Sequence, residues 1–258
     1  MTVFKSLISA FAMYSRIPMP KIEWKEENHR YSLCFFPLIG AVIGWLYFLW
    51  FFICDQLNIN FFLKGAVSMA LPLLVTGGIH ADGFSDVTDA KACLGDRAKK
   101  LEVMADPHIG SFAVILSAVY FILQAAVFSE VRNYSTAAII ALCFVMSRAF
   151  SGIAAVTMKC AKKEGTLQSF SEPAHRSLTL AILIAVCASS YFLMLAADIW
   201  AGAAVLLAFF LCLIYYRVSA YRYFGGITGD TEGWFLQLCE IIAPAAALVT
   251  ELIERMLR

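Results

Sequence analysis

The chain contains a long uncharged apolar stretch, CFFPLIGAVIGWLYFLWFFIC, at residues 34–54. At about 1.5 Å of helical rise per residue, this stretch is long enough to cross the hydrocarbon core of a bilayer. Of the 258 residues, 61% are hydrophobic and only 15% are charged, whereas an average soluble domain is about 45–50% apolar and about 25% charged. A soluble fold of this length has no core large enough for so much apolar surface, so the composition indicates an integral membrane protein.

Six further segments are long and apolar enough to span a membrane, or nearly so: 60–79, 109–128, 135–158, 177–196, 199–217 and 234–253. The first of these six contains Lys64 and Pro72, so we expect a less regular span there. Residues 7–13 predict a retained interfacial or short buried helix, because no small-residue cleavage site follows them. We therefore predict an all-α fold: a polytopic membrane helical bundle of about seven transmembrane helices plus the N-terminal helix, with residues 1–258 in one catalytic membrane domain.

The loops on the two sides of such a bundle differ in charge. Most of the lysines and arginines lie in one set of loops, namely 18–33, 81–108, 159–176 and 217–233. The positive-inside rule places this set in the cytoplasm and the protein in the cytoplasmic membrane. Seven spans then leave the C-terminus outside.

Charge and cysteine content bear on two classes of partner. The formal net charge of +1 provides no basic field for a nucleic-acid duplex, so we expect no nucleic-acid partner. None of the eight cysteines forms a C-x-x-C pair, which favours small buried side chains over a disulfide or zinc framework.

The segment TGGIHADGFSDVTDA, residues 76–90, carries the most informative acids. Asp82, Asp86 and Asp89 are spaced i, i+4, i+7, which places three carboxylates on one face of a helix. Like charges on one stripe repel each other unless a cation lies among them, and an oxygen-only ligand set suits Mg²⁺, Mn²⁺ or Ca²⁺ rather than zinc. A solvated helix end is the alternative, but acids at the end of a membrane span favour a metal site.

Neighbours of these acids suggest further roles. A lone histidine at the end of a span, such as His80, is usually a structural residue held by hydrogen bonds. The alternative is a role beside a metal–carboxylate cluster, where His80 would position phosphate or transfer a proton. The glycines Gly77, Gly78 and Gly83 would let the backbone approach a ligand closely.

Two later segments are candidates on the same side of the membrane. In MADPHIGS, residues 104–111, Asp106 is either a substrate contact or a helix N-cap followed by proline. In GGITGDTEG, residues 225–233, backbone N–H groups and hydroxyls, including those of Gly229 and Thr231, form a plausible phosphate cradle, and a flexible turn is the alternative. The P-loop spacing and its lysine are absent, which excludes a Walker motif. Asp230 would join the carboxylate cluster if the two segments meet.

Two arginines also need partners. Arg148 lies deep within 135–158, where a cation requires a counter-charge or an anionic ligand. Glu240 is the candidate counter-charge, and a structural pair and a substrate contact stay equally open. Arg16 is a candidate for binding phosphate or lipid headgroups, as are the loop residues Lys162, Lys163 and Arg176.

An acidic cluster, a glycine-rich loop and a buried arginine suit metal-assisted phosphoryl or nucleotidyl transfer. They suit a transporter less well, because the acids gather at one interface rather than near the bilayer midplane.

The motif at residues 77–89 resembles the G-G-x-H-x-D-G-x-x-D-x-x-D signature of the cobalamin synthases, the adenosylcobinamide-GDP ribazoletransferases. Further blocks similar to this family occur in order along nearly the whole chain: SRIPMP at 15–20, FPLIG at 36–40, MADPHIG at 104–110, Ser147-Arg148 and GGITGDTEG at 225–233. The chain departs from the family pattern at Ser85, Ala90, His108 and Glu232, the last of which replaces a usually apolar residue.

The resemblance implies a Mg²⁺-dependent enzyme that joins adenosylcobinamide-GDP to α-ribazole or its 5′-phosphate and releases GMP, in the last steps of cobalamin biosynthesis. It implies Asp82, Asp86 and Asp230 as metal ligands, and Asp89 as a further ligand or a general base.

The same resemblance implies substrate contacts for a second group of residues, with His80 also in the catalytic set: Arg16, Arg148, Asp106, Gly229 and Thr231. A large amphipathic corrinoid suits a site at the membrane interface among lipids, and a homo-oligomer is left open. The alternative enzyme is a CDP-alcohol phosphatidyltransferase-like lipid synthase, but Asp86 and Val87 occupy the positions where that class has Ala-Arg.

Overall fold

The computed structural model describes residues 2–23, 25–161, 167, 171 and 174–257. Within them the chain forms eleven α-helices and no β-strand, which confirms the all-α prediction. In chain order the helices are α1 (Thr2–Tyr14), α2 (Glu26–His29), α3 (Ser32–Gln56), α4 (Phe61–Thr76), α5 (Ile79–Ala92), α6 (Arg97–Val103), α7 (Ser111–Glu130), α8 (Tyr134–Thr157), α9 (Arg176–Ala197), α10 (Ile199–Tyr223) and α11 (Gly229–Leu257).

Six of these helices are long and apolar enough to cross a membrane: α3, α7, α8, α9, α10 and α11. They confirm six of the seven predicted segments, and α1 confirms the short N-terminal helix. The segment predicted to be less regular, 60–79, contains the shorter α4, after which the chain bends by 96° into α5. Gly77 and Gly78 form this bend with φ of 67° and 80°, a backbone conformation that favours glycine. The α4–α5 pair makes a seventh span only if the bend is included.

The basic loops contact one another, as expected for loops on one side of a bundle. Three hydrogen bonds link the basic loops at one end: His175 N to Arg30 O at 3.2 Å, Arg97 Nε to Arg222 O at 3.3 Å, and Ile227 N to Lys159 O at 2.9 Å. At the other end, Lys64 Nζ donates to Val131 O at 2.5 Å and the Tyr134 hydroxyl donates to Asp55 at 2.6 Å. Lys162 and Lys163 lie outside the described residues.

Helix α8 is the most buried of the six candidate spans and packs against α3, α9 and α11. Close approach to α3 depends on glycine, because a Cβ at Gly40 or Gly44 would overlap the backbone of α8 at Phe144 or Ala141. Helix α5 packs against α7 and the start of α11 at the end of the bundle that carries the basic loops. The acidic motif is therefore held between two apolar helices rather than on a free loop.

Candidate active site

The backbone of α5 contacts the backbone of α11 at the start of α11. A Cβ on Gly83 would lie 2.7 Å from the backbone oxygen of Asp230 and 2.9 Å from its Cα, so only glycine fits there. Nearby, a Cβ on Gly233 would lie 3.0 Å from the backbone oxygen of His80. Gly83 therefore allows close packing of α11 against α5, whereas the sequence suggested that this glycine allows the approach of a ligand.

This packing brings Asp230 beside the acids of the motif. Asp86 is half-buried, and its carboxylate is repelled by the negative charges of three nearby acids, Asp82, Asp230 and Asp89. Asp82 is exposed and borders the same cavity as Asp230. Acids from two segments more than a hundred residues apart in sequence therefore lie close together in the fold.

Asp89 makes a different contact from the other two acids of the motif. Its Oδ2 accepts a hydrogen bond from Gly110 N at 2.5 Å, and its Oδ1 accepts one from Ala113 N at 2.9 Å. Both oxygens therefore bind N–H groups at the start of α7, where helix geometry leaves donors without partners. The structure gives Asp89 a helix-capping contact, and its role as ligand or base stays a prediction.

Asp106 is not the N-cap of α7, so that alternative from the sequence is wrong. The helix begins at Ser111, and its N-terminal donors bind Asp89 instead. Exposed Asp106 accepts hydrogen bonds from His108 N at 2.9 Å and from His108 Nδ1 at 2.7 Å, which hold the pKa of Asp106 below its ordinary value. A substrate contact by Asp106 stays a prediction.

The glycine-rich segment forms an ordered capping turn rather than a flexible loop. Thr228 N donates to Thr231 Oγ1 at 2.8 Å, and Thr231 N donates to Thr228 Oγ1 at 3.2 Å, a reciprocal arrangement like a capping box. The hydroxyl of Thr231 is fully buried and also donates to Thr228 O. Thr231 therefore shapes the turn, whereas its contact with substrate stays a prediction. Gly229 is exposed and has open space around its Cα, so the N-terminus of α11 borders the cavity, and the positive end of a helix suits anions there.

Two cavities meet at Asp82. The first has a volume of about 310 Å³ and is bordered by Asp82, Asp230 and Gly229, with His80 and Glu232 in its wall. The second has a volume of about 710 Å³ and is bordered by Arg16, Ser15, Thr76, Ser85 and the two glycines of the bend. The side chain of Arg16 lies against Gly77, which places the guanidinium group near the carboxylate end of α5. A phosphate group at Asp82 would have access to both cavities.

His80 is buried beside two aromatic rings. Its ring centroid lies 6.5 Å from that of Tyr14 and 5.9 Å from that of Phe36. Its Nε2 atom is buried and has no hydrogen-bond partner among the described residues. A buried polar atom without a partner is costly, so a ligand in the adjoining cavity would supply the missing hydrogen bond.

Arg148 forms the structural pair with Glu240 that the sequence offered as one of two alternatives. The two side chains are fully buried and form an ion pair, and Arg148 also donates to Ser147 Oγ at 2.9 Å and Phe144 O at 3.2 Å. Arg148 borders neither of the two cavities around Asp82. Its direct contact with substrate stays a prediction.

The acids fit Mg²⁺ by their chemistry. Within the described part of the chain, no group of three or more His, Cys, Asp or Glu side chains is arranged to hold a metal ion. Mg²⁺ typically takes one or two protein carboxylates and completes its shell with water and substrate phosphate. The oxygen-only set of Asp82, Asp86 and Asp230, next to a helix N-terminus, suits that mode of binding, and the metal stays a prediction.

Sequence reasoning missed Glu232, which it treated only as a departure from a family pattern. Glu232 is buried, accepts a hydrogen bond from Ser151 Oγ at 2.5 Å and another from the Tyr216 hydroxyl at 2.9 Å, and lines the first cavity. Burial, and then the charge of Glu232, raise the pKa of Tyr14 across the same cavity. The departure from the family pattern was the only signal in the sequence, because Glu232 lies just before the predicted span 234–253 and only the structure places it in the first turn of α11.

Fold and site together define an integral membrane protein with a carboxylate-bordered cavity at one end of a helical bundle. The chain belongs to the family described as Cobalamin-5-phosphate synthase, which it matches over residues 6–248.

Curated relatives cover nearly the whole chain. A protein of Lachnoclostridium phytofermentans named adenosylcobinamide-GDP ribazoletransferase is 42% identical over 95% of this chain and 94% of its own length. Proteins of the same name from Clostridium botulinum and Treponema denticola are each 32% identical, over 93% and 92% of this chain and 95% of their own lengths. No solved structure gives a significant match.

Proposed function

We propose that this chain is an adenosylcobinamide-GDP ribazoletransferase. It joins adenosylcobinamide-GDP to α-ribazole, or to α-ribazole 5′-phosphate, and forms adenosylcobalamin, or its 5′-phosphate, with release of GMP. The observation that carries the proposal is the contact between Gly83 and Asp230, which unites the acids of α5 with the N-terminus of α11 beside a cavity. Family membership supplies the identity of the substrates.

The reaction exchanges the phosphoanhydride bond of the GDP moiety for a phosphate ester bond. A ribose hydroxyl of the acceptor attacks the phosphorus attached to cobinamide, the bond from that phosphorus to the GMP oxygen breaks, and the hydroxyl proton leaves to a base. The N-terminus of α11, which is open at Gly229, attracts the phosphate oxygens, and Arg16 binds them from the second cavity. His80, with its free Nε2, accepts the proton or donates to phosphate from the wall of the first cavity.

Asp82, Asp86 and Asp230 would hold Mg²⁺. Bound there, Mg²⁺ would neutralise charge on the pyrophosphate and on the departing GMP. The acids belong to the end of the bundle that carries the basic loops, so we place the active site on the cytoplasmic face of the cytoplasmic membrane.

The test uses the purified full-length protein with Mg²⁺, adenosylcobinamide-GDP and α-ribazole, and measures GMP release. We expect Asp82→Asn and Asp86→Asn to lower turnover at least about a hundredfold while each variant still purifies as a folded protein. The matched control is Asp55→Asn, which changes an acid at the opposite end of the bundle. Absence of GMP release by the wild-type protein, in an assay where the Lachnoclostridium phytofermentans relative is active, would refute the proposal.

A further inference from the structure

The first cavity contains a carboxylate that the reaction above does not use. Glu232 is only 6% exposed, and each of its oxygens accepts one hydrogen bond from the protein, from Ser151 and Tyr216. A carboxylate offers about four acceptor positions. Since Glu232 lines the cavity, it retains the capacity to accept hydrogen bonds from a ligand.

The side chains that line the first cavity beside Glu232 suit a flat aromatic ring. Tyr14, Phe36 and His80 all line the cavity, with ring centroids 4.4 Å apart for Tyr14 and Phe36, and Leu33 and Leu236 add apolar surface. Aromatic side chains bind nucleic-acid bases by stacking, and a volume of about 310 Å³ lies at the lower end of the range for ligand pockets. The cavity therefore suits a nucleoside and is too small for a corrinoid.

The other end of the same cavity suits a phosphate. Asp82, Asp230 and Gly229 border it, so the proposed phosphate position and the aromatic wall belong to one continuous space. A nucleotide whose phosphate lies at the start of α11 would place its base in reach of this wall.

We propose that this cavity binds the guanine base of the GDP moiety, and that Glu232 selects guanine by accepting hydrogen bonds from its N1–H and exocyclic amino group. Adenine presents an acceptor at N1, and the dimethylbenzimidazole of α-ribazole has no N–H donor, so neither satisfies a carboxylate acceptor in the same way. This inference rests on the proposed function, because that function supplies the guanine nucleotide.

The test measures binding of GMP, IMP and AMP to the purified full-length protein by calorimetry. We expect wild-type protein to bind GMP at least about tenfold more tightly than AMP, with IMP between them because it lacks the exocyclic amino group. Glu232→Gln and Glu232→Asp should each lose most of this preference and leave AMP binding unchanged. The matched control is Glu102→Gln, an exposed glutamate outside the cavity, which should change none of the three affinities.

Equal binding of GMP and AMP by wild-type protein would overturn the inference, and this comparison does not depend on the folding of any variant. An unchanged GMP preference in both Glu232 variants would overturn it as well, as would displacement of GMP by α-ribazole in the wild-type cavity.

The two proposals fail in different ways. Selective GMP binding without GMP release from adenosylcobinamide-GDP would refute the proposed function and support this base-binding site. Release of GMP by an enzyme without base selectivity would refute the site alone.

Discussion

Replacing Gly83 with alanine tests whether the contact between α5 and α11 sets the catalytic geometry. The new Cβ would lie 2.7 Å from the backbone oxygen of Asp230, whereas ordinary contact begins at 3.4 Å. Because the opposing atoms are backbone, no side chain can rotate away, and the two helices must separate by about 0.7 Å. Overpacking of this kind costs about 1–3 kcal/mol of stability.

The effect on turnover should exceed the effect on stability. Asp82 and Asp86 belong to α5 and Asp230 to α11, so separation of the helices changes the distances between acids that act on one substrate. Displacement by about 1 Å can lower a rate about a hundredfold. We therefore expect kcat per folded Gly83→Ala molecule to fall by about two orders of magnitude.

The assay combines GMP release with the folded fraction from size exclusion and thermal unfolding. Gly44→Ala is the control, because its Cβ would overlap the backbone of Ala141 at the α3–α8 contact, away from the acids. It should lose stability and keep kcat per folded molecule. Wild-type kcat in folded Gly83→Ala protein would refute the reasoning, as would an equal loss of kcat in both variants.

Three further predictions concern the cap, the buried pair and the metal. Asp89→Ala should lower the stability to unfolding by about 1 kcal/mol through loss of the α7 cap, and an unchanged unfolding midpoint would contradict the capping role. Arg148→Met should destabilise by about 3–5 kcal/mol because it leaves Glu240 buried without its partner, whereas Arg148→Met with Glu240→Leu should recover most of the loss in the same unfolding assay. EDTA should stop GMP release and added Mg²⁺ should restore it; full activity after exhaustive chelation would count against the metal assignment.

The spans were predictable because the requirement that a membrane imposes is local in sequence. A stretch such as 34–54 must satisfy its backbone groups within one helix, and its length follows from the thickness of the bilayer. The same reasoning identified 60–79 as irregular, although the 96° bend after Thr76 depends on two glycine conformations that hydropathy does not report. The Arg148–Glu240 pair was also accessible, since a buried cation needs a counter-charge.

The separate roles of the acids were not predictable from spacing. The i, i+4, i+7 pattern treats Asp82, Asp86 and Asp89 alike, but only packing against α7 brings Gly110 and Ala113 to the third of them. Capping rules pointed to Asp106, the nearest suitable residue in sequence. The helix begins later, and a residue from another helix satisfies its donors, because capping depends on distance in space rather than along the chain.

The glycines of the acidic motif show how packing and chemistry are linked in this fold. Sequence alone suggested that Gly83 admits a ligand, whereas the structure places the backbone of Asp230 there. This close contact fixes the acids of α5 relative to Asp230 of α11, because the atoms in contact belong to the two backbones and not to side chains that could adjust. The catalytic geometry is thus determined by a residue that carries no functional group. The same contact brings the start of α11, and with it Glu232, to the wall of the cavity that Asp82 borders. One glycine therefore positions both the proposed phosphate site and the proposed base site, and its replacement should impair turnover and GMP selectivity together.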